Sequence, residues 1–137
     1  MRILLSLTRL LTSIGVLGLA GCGDLEMCGN DIAAEYPSPN HNVKVVVFER
    51  DCGATTPFTT QASILMIDQQ LPNESGNAFI GSDDGRAPMT KHNTMARFEV
   101  KWVDDQHVLI RYDEKGFAKT TTPRVVNGIS VSYEAIR

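Results

Sequence analysis

In four segments after residue 43, at residues 59–67, 98–102, 108–112 and 129–135, side chains alternate with a period of two, the spacing of strands that bury one face in a sheet. Residues 43–50, VKVVVFER, are instead almost continuously apolar and β-branched, and this composition predicts a well-buried strand. Together these patterns predict about seven strands, at residues 43–50, 59–67, 78–80, 98–102, 108–112, 117–126 and 129–135. No run after the first 22 residues carries the period of an amphipathic helix.

Turn-forming residues separate the predicted strands. Pro37-Ser38-Pro39-Asn40 and Asp104-Asp105-Gln106 are typical turn sequences. Asn127-Gly128 is the strongest hairpin signal, because both central residues of a type I′ turn need a positive φ. Residues 68–94 are rich in Gly, Asn, Asp, Ser and Pro and are predicted as long loops around the short strand at 78–80. Short connections favour antiparallel pairing, so the chain predicts an all-β antiparallel meander, folded as a small sandwich or an open barrel.

The N-terminus has a different pattern. Arg2 and Arg9 bracket a short positively charged region, and an uncharged, mostly apolar run follows at residues 10–19. Its ten residues are too few for a membrane-spanning helix, which needs about 20. That length fits the apolar core of a secretory signal, so residues 1–21 are predicted as a cleaved signal peptide.

Leu19-Ala20-Gly21-Cys22 closes that pattern and resembles the lipobox of bacterial lipoprotein precursors. The resemblance implies that the Cys22 sulfur receives a diacylglyceryl group, that signal peptidase II cleaves between Gly21 and Cys22, and that the freed amine is acylated. Gly23 stands where an aspartate favours retention at the inner membrane, so the resemblance implies the outer membrane of a Gram-negative host, facing the periplasm. The alternative is an ordinary signal peptide that happens to precede a cysteine.

The mature chain that this predicted processing leaves is acidic. Its 116 residues carry 11 basic and 16 acidic side chains, a net charge of −5, because residues 1–21 hold two of the 13 basic residues and no acidic one. This acidic balance argues against nucleic acid as a partner and against a polybasic mode of membrane binding. We expect a lipidated N-terminus and tether over residues 22–42 and a single β domain over residues 43–137.

Cys28 and Cys52 remain after lipidation of Cys22, and an even number of cysteines in an exported chain predicts a disulfide between them. The bridge leaves residues 23–27 as the free linker, whose five residues reach about 17 Å at most when extended. The domain is therefore expected close to the membrane. The alternative is a reactive thiolate at Cys52, favoured by the neighbouring Arg50 cation.

Part of the mature chain carries a second resemblance. Ser38-Pro39 and residues 45–56, VVVFERDCGATT, resemble a set of small uncharacterised bacterial exported proteins that share a strand ending in a Cys-Gly-Ala-Thr turn. The similarity covers residues 28–67 and, more weakly, the hairpin that holds Trp102 and Tyr112. It carries no activity over to this chain.

The chain lacks the sequence signals of common catalytic and cofactor sites. It contains neither the G-x-S-x-G motif of a nucleophilic serine nor a glycine loop that cradles phosphate, so no catalytic residue and no cofactor is predicted. Its three histidines, His41, His92 and His107, are scattered and no CxxC pair accompanies them, so no metal site is predicted. The other polar candidates are interpreted as turn or surface residues: Ser75, Asp83-Asp84, Asp104-Asp105 and His107.

Charged and aromatic residues offer candidates for recognition. The segments Glu49-Arg50-Asp51 and 86–91 could form a recognition surface, with an ordinary solvated face as the alternative. Four aromatic side chains at period-two positions are predicted in the core or on one sheet face rather than in a ligand platform: Phe98, Trp102, Tyr112 and Tyr133. Neither group identifies a ligand by itself.

Three hypotheses of function follow. The first is a non-catalytic, lipid-anchored envelope module that binds a partner or serves a structural role. The second is an inhibitor or immunity protein against an envelope hydrolase, with residues 71–94 as an exposed loop that plugs the active site. The third is a small hydrolase that uses Cys52 or a histidine.

Overall fold

The computed structural model describes residues 27–56, 58–82, 98–117 and 119–136. These residues form nine β-strands and no helix, which confirms the predicted all-β class. The strands are β1 (Gly29–Pro37), β2 (Val43–Asp51), β3 (Thr59–Met66), β4 (Phe79–Ser82), β5 (Phe98–Asp104), β6 (His107–Asp113), β7 (Lys119–Thr121), β8 (Val125–Val126) and β9 (Ile129–Ile136). The count exceeds the prediction because β1 has no counterpart in the sequence pattern and the 117–126 region holds two short strands.

The strands form two sheets that pack face to face as a sandwich. The first sheet has the order β1-β2-β3-β4-β7 and is antiparallel throughout. The second has the order β5-β6-β9-β8, in which β6 and β9 run parallel. The chain therefore departs from a simple meander at two points, because β7 pairs with β4 and β9 returns beside β6. Both pairings join strands that are distant in sequence, which local alternation does not specify.

The core lies between the sheets and is built from the inward-facing positions of both. The Phe79 ring has its centroid 4.9 Å from that of Phe98, 5.2 Å from Tyr112 and 5.5 Å from Phe117. These rings meet edge-on or tilted, as their quadrupoles favour. Gly81 leaves room for them, because a Cβ there would lie 2.6 Å from Phe117. The remaining core side chains are aliphatic: Val43, Val45, Val47, Ala62, Ile64, Ala78, Val108, Ile110, Val126, Ile129 and Val131.

The placement predicted for the aromatic residues is confirmed. All four lie in the core or pack against it: Phe98, Trp102, Tyr112 and Tyr133. The Trp102 indole Nε1 donates to the Tyr36 carbonyl at 2.9 Å, which links the second sheet to the first. The Tyr133 hydroxyl lies within hydrogen-bond distance of the Ala78 and Pro123 carbonyls. Backbone carbonyls thus satisfy the polar atoms that these side chains bring into the interior.

Residues 29–37 form an edge strand, although the sequence pattern assigns them to the tether. This strand, β1, pairs with β2 along its whole length and contains one bulge. Most of its side chains are exposed, so it lacks the alternation that marks a half-buried strand. The first sheet therefore begins at Gly29, earlier than the predicted domain boundary at Val43.

The outer face of the first sheet is also covered, which explains why β2 is apolar on both sides. Val46, Phe48 and Leu65 lie on this face, opposite to the core, and are at most 4% exposed. Residues 67–78, which connect β3 to β4, return across the face and hydrogen-bond to β1, β2 and β3. We call residues 67–78 the covering segment.

Hydrogen bonds hold the covering segment on the sheet at several places along its length. Asn30 Nδ2 donates to the carbonyls of Pro72 and Glu74, at 3.0 and 2.9 Å. Farther along, Gly76 N donates to the Oε1 atom of buried Gln61 at 2.6 Å, which satisfies that amide. The backbones approach so closely that a Cβ at Gly76 would lie 2.7 Å from a carbonyl oxygen of β3. The segment is therefore part of the folded unit.

The predicted hairpin turn at Asn127-Gly128 is confirmed. These residues have φ angles of 50° and 78°, and Val126 pairs with Ile129 directly across the turn. The Asn127 side chain also donates to the Ile64 carbonyl at 2.9 Å, which ties the β8–β9 hairpin to β3 of the first sheet. The turn thus fixes both a hairpin and its position on the sandwich.

Hydrogen bonds from Asn40 to Asp105 and from Asn127 to the Ile64 carbonyl bring turns of both sheets together, so the sandwich has two distinct ends. The disulfide end holds the Cys28–Cys52 bridge, between the residue before β1 and the residue after β2. The opposite end is formed by the turns at residues 38–42, 104–106 and 127–128. The nine residues of β2 connect the two ends over about 26 Å.

Candidate functional site

Exposed apolar side chains are concentrated at the opposite end of the sandwich. Of the seven large hydrophobic side chains that stand exposed in the described part of the chain, four lie there, and we call them the apolar set: Met66, Ile67, Val103 and Val125. Val103 and Val125 are each 65% exposed, and Met66 is 54% exposed. Val103 and Val125 lie on the two edge strands of the second sheet, and Met66 and Ile67 lie at the end of β3 in the first sheet. The exposed apolar side chains therefore surround the turns of this end, and exposed apolar surface of this kind is a candidate for interaction.

The β1–β2 turn at this end has a fixed backbone. Ser38 is 1% exposed, and its Oγ donates to Asn40 Oδ1 at 2.8 Å and accepts from Val43 N at 3.2 Å. Asn40 Oδ1 also accepts from Asn42 N at 3.0 Å. His41 has a φ of 56°, a left-handed conformation that costs free energy in a residue with a side chain. The surrounding hydrogen bonds hold this conformation, so the turn is preorganised.

A hydrogen bond joins the two sheets at the opposite end. Asn40 N donates to Asp105 Oδ1 at 2.9 Å and so connects the β1–β2 turn to the β5–β6 turn. On the other side of the β5–β6 turn, Ser130 N donates to the Gln106 carbonyl at 2.8 Å. Asp105, predicted only as a turn residue, therefore also positions the turn of the facing sheet.

Asp104 shapes the β5–β6 turn itself. Its Oδ1 accepts from Gln106 N at 2.8 Å, which confirms the interpretation of this acid as a turn residue. Its carboxylate also lies 2.7 Å from Nδ1 of His107. The hydrogen bond from the Gln106 N–H, followed by the contact with His107, lowers the pKa of Asp104 below its ordinary value. Both side chains are more than half exposed, so water screens the pair.

The outer face of the second sheet carries a row of ion pairs centred on Arg111. Arg111 on β6 lies between Glu99 on β5 and Glu134 on β9, at 2.7 and 3.3 Å. The hydrogen bond to Glu99, with the charge of Glu134, holds the pKa of Arg111 above its ordinary value. Glu99 and Arg111 are opposite each other in a predicted hairpin, so their pairing could be inferred from register. The contact with Glu134 needs the parallel β6–β9 pairing, for which the sequence has no signal.

The predicted disulfide between Cys28 and Cys52 is confirmed. The alternative of a reactive thiol at Cys52 is therefore wrong, and the hydrolase hypothesis loses that nucleophile. Arg50 Nη1 instead donates to Asn30 Oδ1 at 2.7 Å and to Asn73 Oδ1 at 3.0 Å. Asn73 Nδ2 in turn donates to the Cys28 carbonyl at 2.9 Å. Arg50 and Asn73 thereby hold the covering segment against the disulfide end.

Two predicted interaction segments have structural roles in the described part of the chain. In the charged segment 49–51, Arg50 belongs to the network just described, and Asp51 Oδ1 accepts from Gly53 N at 2.8 Å. These bonds stabilise the start of the β2–β3 connection. Residues 71–78 of the predicted exposed loop 71–94 belong to the covering segment and pack on the first sheet. Residues 72–75 of that part are exposed at the surface.

Several predicted residues lie outside the described part of the chain: Gly21, Cys22, Asp83, Asp84, residues 86–91 and His92. Among the residues that the structure describes, no three His, Cys, Asp or Glu side chains form a group that could hold a metal ion. Over the same ranges, no helix has the length and hydropathy of a membrane span.

The opposite end therefore combines apolar contact area, a preorganised turn and charged side chains beside them. This combination suits contact with a protein or peptide, because apolar anchors supply free energy and polar groups fix the register. A preorganised turn also loses little conformational entropy on binding. No protein-family model, no curated protein and no solved structure matches this chain.

Proposed function

We propose that the protein is a lipid-anchored cell-envelope protein whose β-sandwich is a non-catalytic module for binding a protein partner. The observation that carries this proposal is the position of the apolar set, at the end of the sandwich remote from the disulfide and the N-terminal tether. A domain anchored through its N-terminus directs this remote end into the surrounding compartment. Its exposed apolar side chains and preorganised turn are then accessible to a partner.

The anchor is supported by Leu19-Ala20-Gly21-Cys22, which follows a charged and then an apolar stretch. The Cys28–Cys52 disulfide agrees with export, because disulfides persist in oxidising compartments such as the periplasm. Two or more acyl chains on Cys22 hold the protein stably at one leaflet. With Gly23 in the second mature position, we propose the outer membrane of a Gram-negative host, with the domain facing the periplasm.

The variant Cys22→Ser tests the anchor. We expect the wild-type protein to incorporate labelled palmitate and to sediment with membranes. The variant loses its acceptor sulfur, so it remains unlabelled and accumulates as the uncut precursor. Normal cleavage and labelling of Cys22→Ser contradicts the lipid anchor.

Site-specific photo-crosslinking in the native host tests the binding surface. A photoreactive amino acid replaces Met66 or Val125 of the apolar set in the anchored protein. Ile32 on β1, which is 47% exposed, is the matched control because it lies away from that end. We expect one envelope protein to cross-link at positions 66 and 125 and not at position 32. Equal cross-linking at all three positions contradicts a binding site at the opposite end.

The preorganised turn favours an inhibitor or immunity protein as the second candidate. Ser38, Asn40 and Asn42 hold His41 in a strained conformation at an exposed turn, a geometry suited to a loop that enters an enzyme cleft with little loss of entropy. In this second candidate, the turn at residues 38–42 takes the place of residues 71–94 as the loop that plugs the active site of the hydrolase. The cross-linked partner is then a hydrolase that the purified protein inhibits, and His41→Gly weakens the inhibition. A partner without hydrolase activity contradicts this candidate.

A further inference from the structure

One connection at the disulfide end of the sandwich is uncharged. The chain contains no charged residue between Asp51 and Asp68, so the whole β2–β3 connection is neutral. Phe58 in this connection is 39% exposed, and Met27, next to the bridge, is 75% exposed. Two large apolar side chains thus stand in solvent at the end of the sandwich that the tether approaches.

Strand register places these two residues at the same end. Asp51, the last residue of β2, pairs with Gly29 on β1, and Phe58 immediately precedes the first residue of β3 on the other side of β2. Met27 lies two residues before Gly29. Since β1 and β3 are about 10 Å apart, the two side chains flank the end of β2.

The tether is short compared with the domain. Residues 23–27 separate Cys22 from Cys28, and five extended residues span about 17 Å. One headgroup layer of a bilayer is roughly 6 Å thick. The tether therefore allows the disulfide end to reach the bilayer surface, whereas the opposite end stands about 26 Å farther away along β2.

We infer that the disulfide end lies on the bilayer, with Phe58 and Met27 inserted at the boundary between headgroups and acyl chains. The inference rests on the lipid anchor proposed above and adds the orientation of the domain to it. Aromatic side chains are enriched at this boundary, and burial of their apolar surface stabilises the contact. The exposed charges at this end are those of Asp31, Asp51, Glu114 and Lys115, and the tether adds Asp24 and Glu26. Acidic side chains are in excess, so the surface contacted is zwitterionic rather than anionic lipid.

Photo-crosslinking of the lipidated full-length protein in phosphatidylcholine–phosphatidylethanolamine vesicles tests this orientation. A benzophenone amino acid replaces Phe58 in one variant and Val125, at the opposite end, in the matched control. Flotation of the vesicles and the mass of the acylated N-terminal peptide first establish the anchor. Circular dichroism and the non-reduced mass establish that both variants are folded and contain the disulfide. If the variant at position 58 fails to fold, Met27, which lies before the first strand, carries the probe instead.

The expected result is a phospholipid adduct at position 58 and none above background at position 125. A protein that neither floats nor carries acyl chains refutes the lipid anchor, and the orientation with it. A protein that floats but is labelled equally at both positions, or at neither, refutes the orientation alone.

Discussion

The backbone N–H of Asn40 and the carboxylate of Asp105 form a hydrogen bond of 2.9 Å between turns that are 65 residues apart in sequence. One turn belongs to the first sheet and the other to the second. The bond lies at the end of the sandwich that carries the apolar set. The geometry of the proposed binding surface therefore depends on how the two sheets meet.

Asp105→Ala removes the acceptor of this bond. We expect a loss of about 1 kcal/mol in the free energy of unfolding, because the freed Asn40 N–H is exposed and can bind water. For a domain of this size that loss lowers Tm by about 4 °C, measurable by calorimetry. Asp105→Asn retains an Oδ1 acceptor and should melt close to the wild-type protein. Equal Tm values for wild type and Asp105→Ala would falsify the role of the bond.

The disulfide contributes to stability by restricting the unfolded chain. Cys28 and Cys52 are 24 residues apart, and the chain-entropy model gives about 3.5 kcal/mol for a loop of that length. We expect the double variant Cys28→Ser/Cys52→Ser to have a free energy of unfolding lower by about that amount, measured as a shift of its urea midpoint to lower concentration. The reduced wild-type protein is the control and should match the double variant. A double variant as stable as the oxidised protein contradicts a stabilising bridge.

Asn73 holds the covering segment at the disulfide end, so its replacement should loosen that segment locally. Asn73→Ala removes the bonds to Arg50 and to the Cys28 carbonyl. We expect faster amide hydrogen exchange in residues 67–78, corresponding to about 1–2 kcal/mol of lost protection, with β6 and β9 unaffected. Ser75→Ala, at an exposed position of the same segment, is the control. A uniform change over the whole domain contradicts a local role.

The lowered pKa of Asp104 makes stability depend on acidity. A carboxyl group whose pKa is lower in the folded state stabilises the fold above its ordinary pKa of 3.8 and loses that effect as the pH falls through the folded-state value. Asp104→Asn removes this titration. We expect the wild-type protein to be the more stable at pH 6, and the two melting curves to converge below pH 3.8. A difference in Tm that is the same at both pH values contradicts the prediction.

Tyr133 makes stability depend on pH in the opposite sense, because its contribution is lost as the pH rises into the alkaline range. Burial, with a smaller effect from Tyr112, raises the pKa of Tyr133, so the unfolded state ionises first as the pH rises. The stabilisation is complete below about pH 10 and is lost above it. Tyr133→Phe loses the bond to the Ala78 or Pro123 carbonyl and about 1 kcal/mol at pH 7. Its stability should fall less steeply above pH 10 in chemical unfolding. A parallel fall in both proteins argues against this ionisation.

Local patterns in the sequence are sufficient to predict the strands that bury one face and the two-residue turn at 127–128. The alternation at residues 98–102 and 108–112 predicts β5 and β6, and Asn127-Gly128 predicts a turn that only positive φ angles allow. The disulfide could be predicted from the even cysteine count together with the predicted export signal. In each of these cases the signal lies in a few neighbouring residues or in a simple count.

Other features depend on contacts between distant segments and could not be predicted in this way. β1 is an exposed edge strand that is defined by pairing with β2, so its own composition gives little signal. The covering segment resembles a loop in composition, although Asn30 and Gln61 hold it on the sheet. The candidate site is likewise formed by turns from both sheets, and the Asn40–Asp105 bond is visible only after the sheets are assembled.

The position of β9 has a consequence for how the molecule forms. Although it is the last of the nine strands that the described residues form, it lies inside the second sheet, between β6 and β8. A polypeptide that emerges N-terminus first from a translocation channel can form the β1–β2–β3 hairpins early. In the β5–β6 hairpin, the edge of β6 then stays unpaired until residues 129–136 have emerged. For the exported chain that we propose, the second sheet is therefore expected to be completed only after translocation. Chaperones of the receiving compartment should bind chains truncated before residue 129.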